Sequence, residues 1–236
     1  MLAILLIFVA FTTASEAAEK LEKPQPGAEF VQRYIETIPV QQESLKGASM
    51  EVLMDGRLVK LKKEGKMSAL RSISKLGLIT YKVLNFWGDD TVKKEVIARY
   101  LTAETQPKGE PGSLAIAPAN YKFDYKGLKD KNGAQVHVFE LKPKQKRVGL
   151  FKGELWLDPE TCMPIRESGR FVKNPSVFLK KVEFVREYEI VDGISVPKRI
   201  ESKVDTRIVG RAELNIQFAN LRKVETPDAD TVRVSQ

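Results

Sequence analysis

The sequence predicts an α+β fold that is mainly antiparallel β, with one helix before a long series of strands. The segment from Phe151 to Phe171 supports this class, because apolar and polar residues alternate in two arms around Asp158-Pro159-Glu160-Thr161, a typical turn sequence. Asp-Gly and Asn-Gly pairs, which favour hairpin turns, separate other apolar segments. The last predicted strand alternates most clearly, and its apolar face consists of Ala212, Leu214, Ile216 and Phe218.

Length and composition favour a single globular domain. The chain has 236 residues and a hydrophobic content of 42%, which is enough to bury a substantial core. The formal net charge of +8 is compatible with nucleic-acid binding, with binding to an anionic membrane surface, or with solubility alone.

The first residues predict export. Leu2 to Phe11 form an uncharged apolar run that is too short to span a bilayer, and Ser15-Glu16-Ala17 follows as a small-x-small cleavage pattern. We therefore expect residues 1–17 to be a signal peptide; an N-terminal anchor helix or a buried segment is the alternative. Export disfavours nucleic acid as a partner and leaves lipid head groups, acidic glycans or acidic proteins.

Cysteine and histidine each occur once. Cys162 cannot form an intrachain disulfide, and it lies in a predicted turn, where an incidental residue is favoured over a reactive thiol. The apolar run is followed by no cysteine that could carry a lipid anchor, so we expect a soluble mature protein. His137 alone cannot build a histidine metal site, and clustered carboxylates are missing, so we expect neither metal nor cofactor.

The N-terminal half begins with a flexible lead-in, 18–27, followed by a helix. Phe30, Tyr34, Ile35 and Ile38 recur at helical spacing and should lie against the sheet, and Pro39 disfavours continuation beyond Ile38.

The next segments predict a hairpin, a strand and an ambiguous element. The hairpin is formed by Ala48 to Met54 and Arg57 to Leu61 around Asp55-Gly56. Ile79 to Trp87 is another apolar run and predicts a strand, whereas Thr91 to Thr102 fits either a helix or a buried strand, and this choice stays open. Gln106 to Pro118 is rich in proline and glycine and predicts a long loop.

The C-terminal half predicts a meander of strands. Pro197 suggests a sheet edge or the start of a strand, and 226–236 reads as a polar tail. The predicted strands are Tyr121 to Tyr125, Gln135 to Leu141, Val182 to Ile190, Ser195 to Asp205 and Gly210 to Leu221, with turns at Asp130-Lys131-Asn132-Gly133 and Asp192-Gly193.

Two basic runs lie between these elements. A solvated surface is the favoured interpretation of both, and contact with an anionic membrane surface or an acidic protein partner is the alternative for the second. The runs are Lys60, Lys62, Lys63 and Lys66, and Lys142, Lys144, Lys146 and Arg147.

Several segments together resemble the bacterial outer-membrane lipoprotein-sorting proteins related to LolA and LolB. The resemblance covers about residues 28–222. It rests on the order of signal peptide, helix and meander, and on the segments Gly153 to Thr161, Pro164 to Glu167, Asp192 to Pro197 and Ala212 to Leu214.

The resemblance implies an unclosed half β-barrel, a few helices covering its concave apolar face, and a cavity that shelters acyl chains during transit of the periplasm. It also implies a periplasmic, monomeric lipid or lipoprotein carrier formed by a single domain, 28–225. The side chains expected to line the cavity are those of the inward sets, although each could instead belong to an ordinary core: Leu155, Leu157, Ile200, Val204, Leu214, Ile216 and Phe218.

Two other function classes compete with the carrier. A periplasmic sensor domain of envelope-stress signalling could use the same scaffold to detect a lipoprotein or a protein partner. An enzyme is disfavoured, because the single histidine leaves no Ser-His-Asp, G-x-S-x-G or H-E-x-x-H pattern.

Overall fold

All ten strands belong to one antiparallel sheet that does not close. The computed structural model describes residues 26–106, 112–131 and 133–223. The expected signal peptide 1–17, most of the lead-in 18–27 and the tail 226–236 lie outside the described residues. Among the described strands the order is β3-β2-β1-β10-β9-β8-β7-β6-β5-β4, so β3 and β4 are the edges, and β1 and β10 form the one pair that is not consecutive in sequence. This unclosed α+β sheet with helices on one face is the predicted fold class.

The strands are long and joined mostly by tight connections. Their bounds are β1 Ala48–Leu58, β2 Lys63–Ile73, β3 Ile79–Gly88, β4 Tyr121–Lys131, β5 Ala134–Pro143, β6 Phe151–Leu157, β7 Pro164–Phe171, β8 Leu179–Val191, β9 Ile194–Thr206 and β10 Arg211–Lys223.

Two helical segments cover the same face of the sheet. The first is α1, Ala28–Ser44. The second, residues 90–105, consists of α2 (Asp90–Val92), a π-helical stretch (Lys93–Ala98) and α3 (Arg99–Thr105), and it resolves the ambiguous segment as helix. In the described part of the chain no helix is both long and apolar enough to cross a bilayer.

The hairpin predicted at Asp55-Gly56 is wrong, because both residues lie inside strand β1 and the chain reverses later, at the 3-10 turn Val59–Leu61. Gly56 serves a different purpose: a Cβ at this position would lie 2.9 Å from Val92 Cγ1. The glycine therefore allows the second helical segment to approach the sheet, and its local sequence does not reveal this.

Both prolines singled out in the sequence lie where the prediction did not place them. Helix α1 continues past Pro39 to Ser44, because Gln41 in the last turns binds the β9 backbone: its Oε1 accepts from Ser195 N at 2.7 Å. Pro197 lies in a central strand rather than at an edge, opposite a bulge between Glu187 and Tyr188.

The other predicted turns are confirmed. Asp158 Oδ1 accepts from the backbone nitrogens of Glu160 and Thr161 at 3.1 and 2.8 Å and holds the β6–β7 turn. Asp192 and Gly193 both have positive φ, 51° and 73°, and connect β8 to β9. The chain also reverses between Lys131 and Ala134 as expected.

Candidate functional site

Two apolar clusters occupy the helix-covered face of the sheet. The cluster under α1 combines Val31 and Tyr34 with side chains of β4 to β8, including Phe139, Leu155 and Leu157. The cluster under the second helical segment combines Val92, Val96 and Ile97 with β1, β2 and β10. The two clusters meet at the middle strands, where Phe184 of β8 belongs to the cluster under α1 and Ile200 and Val204 of β9 pack against the other cluster.

All seven predicted cavity residues point to this face. Leu155 and Leu157 are fully buried under α1, and Leu214, Ile216 and Phe218 are buried under the second helical segment. Ile200 and Val204 are only partly buried and lie at the margin of the second cluster. Five of the seven therefore fill the protein's own core, and Ile200 and Val204 are the two nearest to an accessible surface.

An ion pair lies between the clusters, on β7 and β8. Arg186 Nη1 donates to Glu167 Oε2 at 3.1 Å, and the two residues are cross-strand neighbours. The Glu167 side chain is 10% exposed, but the Arg186 side chain is 38% exposed. The guanidinium carbon also lies 4.7 Å from the Phe184 ring centre. Arg186 is thus a partly solvent-exposed cation within an otherwise apolar face.

The strand register places this pair in a row that crosses the whole sheet. One inward residue from each strand contributes, and every member except Glu167 and Arg186 is apolar or aromatic, so the charges stand near the middle of an apolar row. The row runs Tyr125, Phe139, Leu155, Glu167, Arg186, Ile200, Ile216, Met54, Met67 and Phe86.

Burial and the two charges shift the pKa values of nearby groups. Burial disfavours the charged guanidinium, but the Glu167 carboxylate outweighs this and raises the pKa of Arg186. Burial, reinforced by the charge of Glu167, raises the pKa of Tyr188 and of Tyr34 above the ordinary value of 10.0. The Arg186 guanidinium therefore stays charged, and both phenols keep their protons.

Helix α1 is fixed firmly to its side of the sheet. The Phe30 ring stacks on His137, with ring centres 3.7 Å apart, and the His137 Nδ1 lies 2.8 Å from Tyr125 Oη. Arg33 donates to the backbone oxygen of Glu160. Burial lowers the pKa of His137, so the imidazole is neutral near pH 7 and has a structural role in joining the helix to β4 and β5.

Helix α3 is held much more loosely. None of its seven residues is buried, whereas Val92, Val96 and Ile97 are buried just before it. Arg71 Nη2 on β2 forms an ion pair with Glu104 Oε1 at 3.3 Å, and Tyr100 and Leu101 contact the cluster below. The boundary between the π-helical stretch and α3 therefore separates a part of the segment with buried residues from a part without them.

The arrangement supports binding better than catalysis. The central side chains are a guanidinium, a carboxylate and protonated phenols, which orient a polar group but do not form a nucleophile and base. Cys162 is fully buried despite lying in a turn, and burial raises its thiol pKa, which disfavours the reactive thiolate. In the described residues no three His, Cys, Asp or Glu side chains are placed to hold a metal ion.

Sequence reasoning missed Glu167 and Arg186. The usable signal was on β8, where Val182, Phe184 and Arg186 occupy one face and a charge interrupts an apolar set. Two recesses of about 330 and 320 Å3 lie on the opposite, convex face, but their lining is dominated by polar and charged residues such as Arg57, Lys66, Glu140 and Arg170.

Comparisons with known proteins give distant similarities to solved structures. No protein-family model and no curated protein sequence matches the chain. A DUF1329 family protein of Desulfovibrio piger is 15% identical, with a TM-score of 0.46, and the match covers 89% of this chain and 98% of that one.

Two other similar structures are more distant. A LolA superfamily protein of Nitrosomonas europaea is 12% identical over 88% of this chain and 96% of that one, with a TM-score of 0.38. A Vibrio parahaemolyticus domain described as an outer membrane lipoprotein-sorting protein is 12% identical over 86% and 97%, with a TM-score of 0.40. At these TM-scores the similarities do not assign a function. The solved structures similar to this chain include members of the lipoprotein-sorting group that its sequence resembles.

Proposed function

We propose that the protein is a periplasmic carrier that binds lipid or lipoprotein acyl chains on the helix-covered face of its sheet. The observation that carries this proposal is the row of apolar residues interrupted by a solvent-accessible arginine. Such a surface matches an amphipathic ligand, whose chains need apolar cover and whose head group needs a polar partner.

The head group would bind at Arg186. A guanidinium has five N–H donors, and Glu167 occupies Nη1. Its accessible N–H groups can therefore donate to a carboxylate, phosphate or ester oxygen. Ile200 is the direct cross-strand neighbour of Arg186 and is only partly buried, so it would contact the first methylenes of the chain.

The acyl chain would enter beneath α3. Lifting α3 would remove no fully buried side chain of its own from the core, because none of its residues is buried. A chain that buries about ten methylenes gains on the order of 8 kcal/mol, which offsets the loss of contacts such as the Arg71–Glu104 ion pair and the packing of Tyr100 and Leu101. Residues such as Val204, Leu214 and Phe218 would then form the floor of the opened site.

The test is binding of a fluorescent long-chain fatty acid to the form exported to a bacterial periplasm, together with mass spectrometry of co-purifying lipid. The double variant Glu167→Gln/Arg186→Gln removes the charge without leaving a lone buried carboxylate and should weaken binding about tenfold. The double variant Glu187→Gln/Arg199→Gln is the matched control: this pair, at 3.1 Å, is on the convex face, and Arg199 is 42% exposed.

The outcomes separate the proposal from its alternatives. Equal losses from the two variants would remove Arg186 from the head-group role, and Ile200→Ser should weaken binding through lost apolar contact alone. If the wild-type protein carries no co-purifying lipid and does not bind the fatty acid, the carrier proposal is wrong.

A second candidate is a sensor domain that binds an extended protein segment at edge strand β3. Within the described residues this strand has no partner on its outer side, and its Val83, Leu84 and Trp87 are 49%, 51% and 54% exposed. Strand addition uses such an edge. Val83→Lys should then abolish partner binding and leave fatty-acid binding unchanged; a complex that tolerates Val83→Lys excludes this edge.

A further inference from the structure

Four loops form a continuous rim at one end of the sheet. They connect β1 to β2, β5 to β6, β7 to β8 and β9 to β10, and they comprise residues 59–62, 144–150, 172–178 and 207–210. Alternating strand direction brings these connections to the same end. We call them the basic rim.

Neighbouring loops of the basic rim contact one another. Arg207 donates from its backbone nitrogen to Phe178 O and from Nε to Val177 O, both at 2.9 Å. Val172 N donates to Leu150 O at 3.0 Å, and a Cβ at Gly210 would lie 3.1 Å from Lys60 Cβ. The rim is therefore one surface.

Charge is distributed unevenly between the two ends of the sheet. The four rim loops contain no Asp or Glu, whereas the turns 74–78, 158–163 and 192–193 at the opposite end contain Asp158, Glu160, Asp192 and one base, Lys75. The basic residues of the rim are Lys60, Lys62, Lys144, Lys146, Arg147, Lys173 and Arg207.

Most of these rim cations are available to a partner; Arg147 is half-buried and donates to Asn120 Oδ1 at 3.2 Å. Among the described residues none of them forms an ion pair with a carboxylate, although many strand cations do, such as Lys126 with Asp124 at 2.6 Å. Two carboxylates next to the rim are already neutralised: Asp89 by Lys63 at 3.2 Å and Asp205 by Arg211 at 2.9 Å. The net positive charge of the chain is therefore concentrated and unpaired at this end.

Aliphatic and aromatic side chains project from the same loops. Val177 and Ile208 are 78% and 70% exposed, and Phe178 is 55% exposed beside them. Val59, Leu61 and Val148 are exposed in the two outer loops. Apolar side chains that project singly between unpaired bases do not form a pocket for a peptide; they suit a flat anionic surface whose interior is apolar.

We propose that the basic rim docks the protein on an anionic lipid bilayer, with the lysines and arginines at the head groups and Val177, Phe178 and Ile208 inserted among them. Each basic side chain near such a surface adds electrostatic attraction, and the inserted side chains add apolar burial. The inference depends only on the rim, and it holds whether or not the helix-covered face of the sheet binds acyl chains.

Vesicle co-sedimentation of the exported form tests this proposal. The vesicles are phosphatidylcholine alone or phosphatidylcholine with phosphatidylglycerol. The wild-type protein should bind only the anionic vesicles and release them at high salt. Lys60→Glu/Lys146→Glu should weaken binding by about 30-fold or more, the factor expected for two bases at a membrane surface. Lys75→Glu/Lys129→Glu, with the same change in net charge away from the rim, should leave binding unchanged.

A second variant tests the apolar part without changing charge. Ile208→Ser should weaken binding about tenfold, since it removes an inserted side chain from an exposed turn that the fold does not need. Equal losses from the two charge variants, or no loss from either, would overturn the proposal. Binding to polyglutamate but to no vesicle would instead assign the rim to an acidic protein.

Discussion

Replacing Gly56 by alanine should push the second helical segment away from strand β1. The added methyl carbon would lie 2.9 Å from Val92 Cγ1, 3.3 Å from Ile97 Cγ1 and 3.4 Å from Val96 Cγ1. Carbon atoms prefer separations of about 3.5 to 4.0 Å, so the helix must move by several tenths of an ångström.

The expected cost follows from two opposing effects. Overpacking of this kind costs about 1 to 3 kcal/mol, and the stiffer unfolded chain returns about 0.4 to 1 kcal/mol. Gly56→Ala should therefore lower the free energy of unfolding by about 1 to 2 kcal/mol. Urea unfolding measures this as a lower midpoint at constant slope.

A double-mutant cycle identifies the cause. Val92→Ala alone should destabilise the protein by about 2 kcal/mol through the cavity it leaves. In Gly56→Ala/Val92→Ala the new methyl group occupies part of that cavity, so the two effects should couple favourably by about 1 to 2 kcal/mol. Val182→Ala, three strands away, is the matched control and should be additive with Gly56→Ala. An additive Gly56/Val92 cycle would refute the close contact.

Three further predictions concern the groups that hold the fold. Burial lowers the pKa of His137 below its ordinary 6.5, so unfolding takes up a proton there and stability should fall as pH drops below 6.5; His137→Gln should flatten this dependence in urea titrations. Burial raises the pKa of Tyr34, so its contribution is complete below pH 10.0 and is lost as pH rises further; Tyr34→Phe should reduce the alkaline loss of stability. Asp158→Ala removes the acceptor of the β6–β7 turn and should cost about 1 to 2 kcal/mol, together with faster labelling of Cys162 by a thiol reagent.

The strands were predictable wherever one face of the sheet is dry and the other wet. In β6 and β10 the alternation of apolar and polar residues follows directly from the two environments, and the turn at Asp158 uses a side chain that bonds its own backbone. These signals are local, so they survive without knowledge of the rest of the chain.

The predictions at Gly56 and Pro39 were wrong because they depend on contacts with distant segments of the chain. Gly56 was interpreted as a turn residue because its neighbour is aspartate, but the helix that requires it begins more than thirty residues later, at Asp90. Helix α1 passes Pro39 because Gln41 finds its partner on Ser195. In each case a contact with a distant segment outweighs the local preference.

For the candidate site, too, some features follow from local sequence and others depend on distant contacts. That Leu214, Ile216 and the other predicted residues face inward follows from strand periodicity, and the structure places them there. Their depth under the helices does not follow, because it depends on where two helices settle on a ten-stranded sheet.

The sequence by itself determined which residues of each strand face inward and which face solvent, and with them the antiparallel strands. This alternation has a period of two residues, so it is visible in consecutive positions of the chain. Only the tertiary structure decided the register of the strands and the pairing of β1 with β10. That register joins Glu167 to Arg186 in the middle of an apolar face and gathers four distant loops into one basic rim. Both arrangements arise from pairing across the sheet, and the free energy of that pairing depends on the whole chain at once.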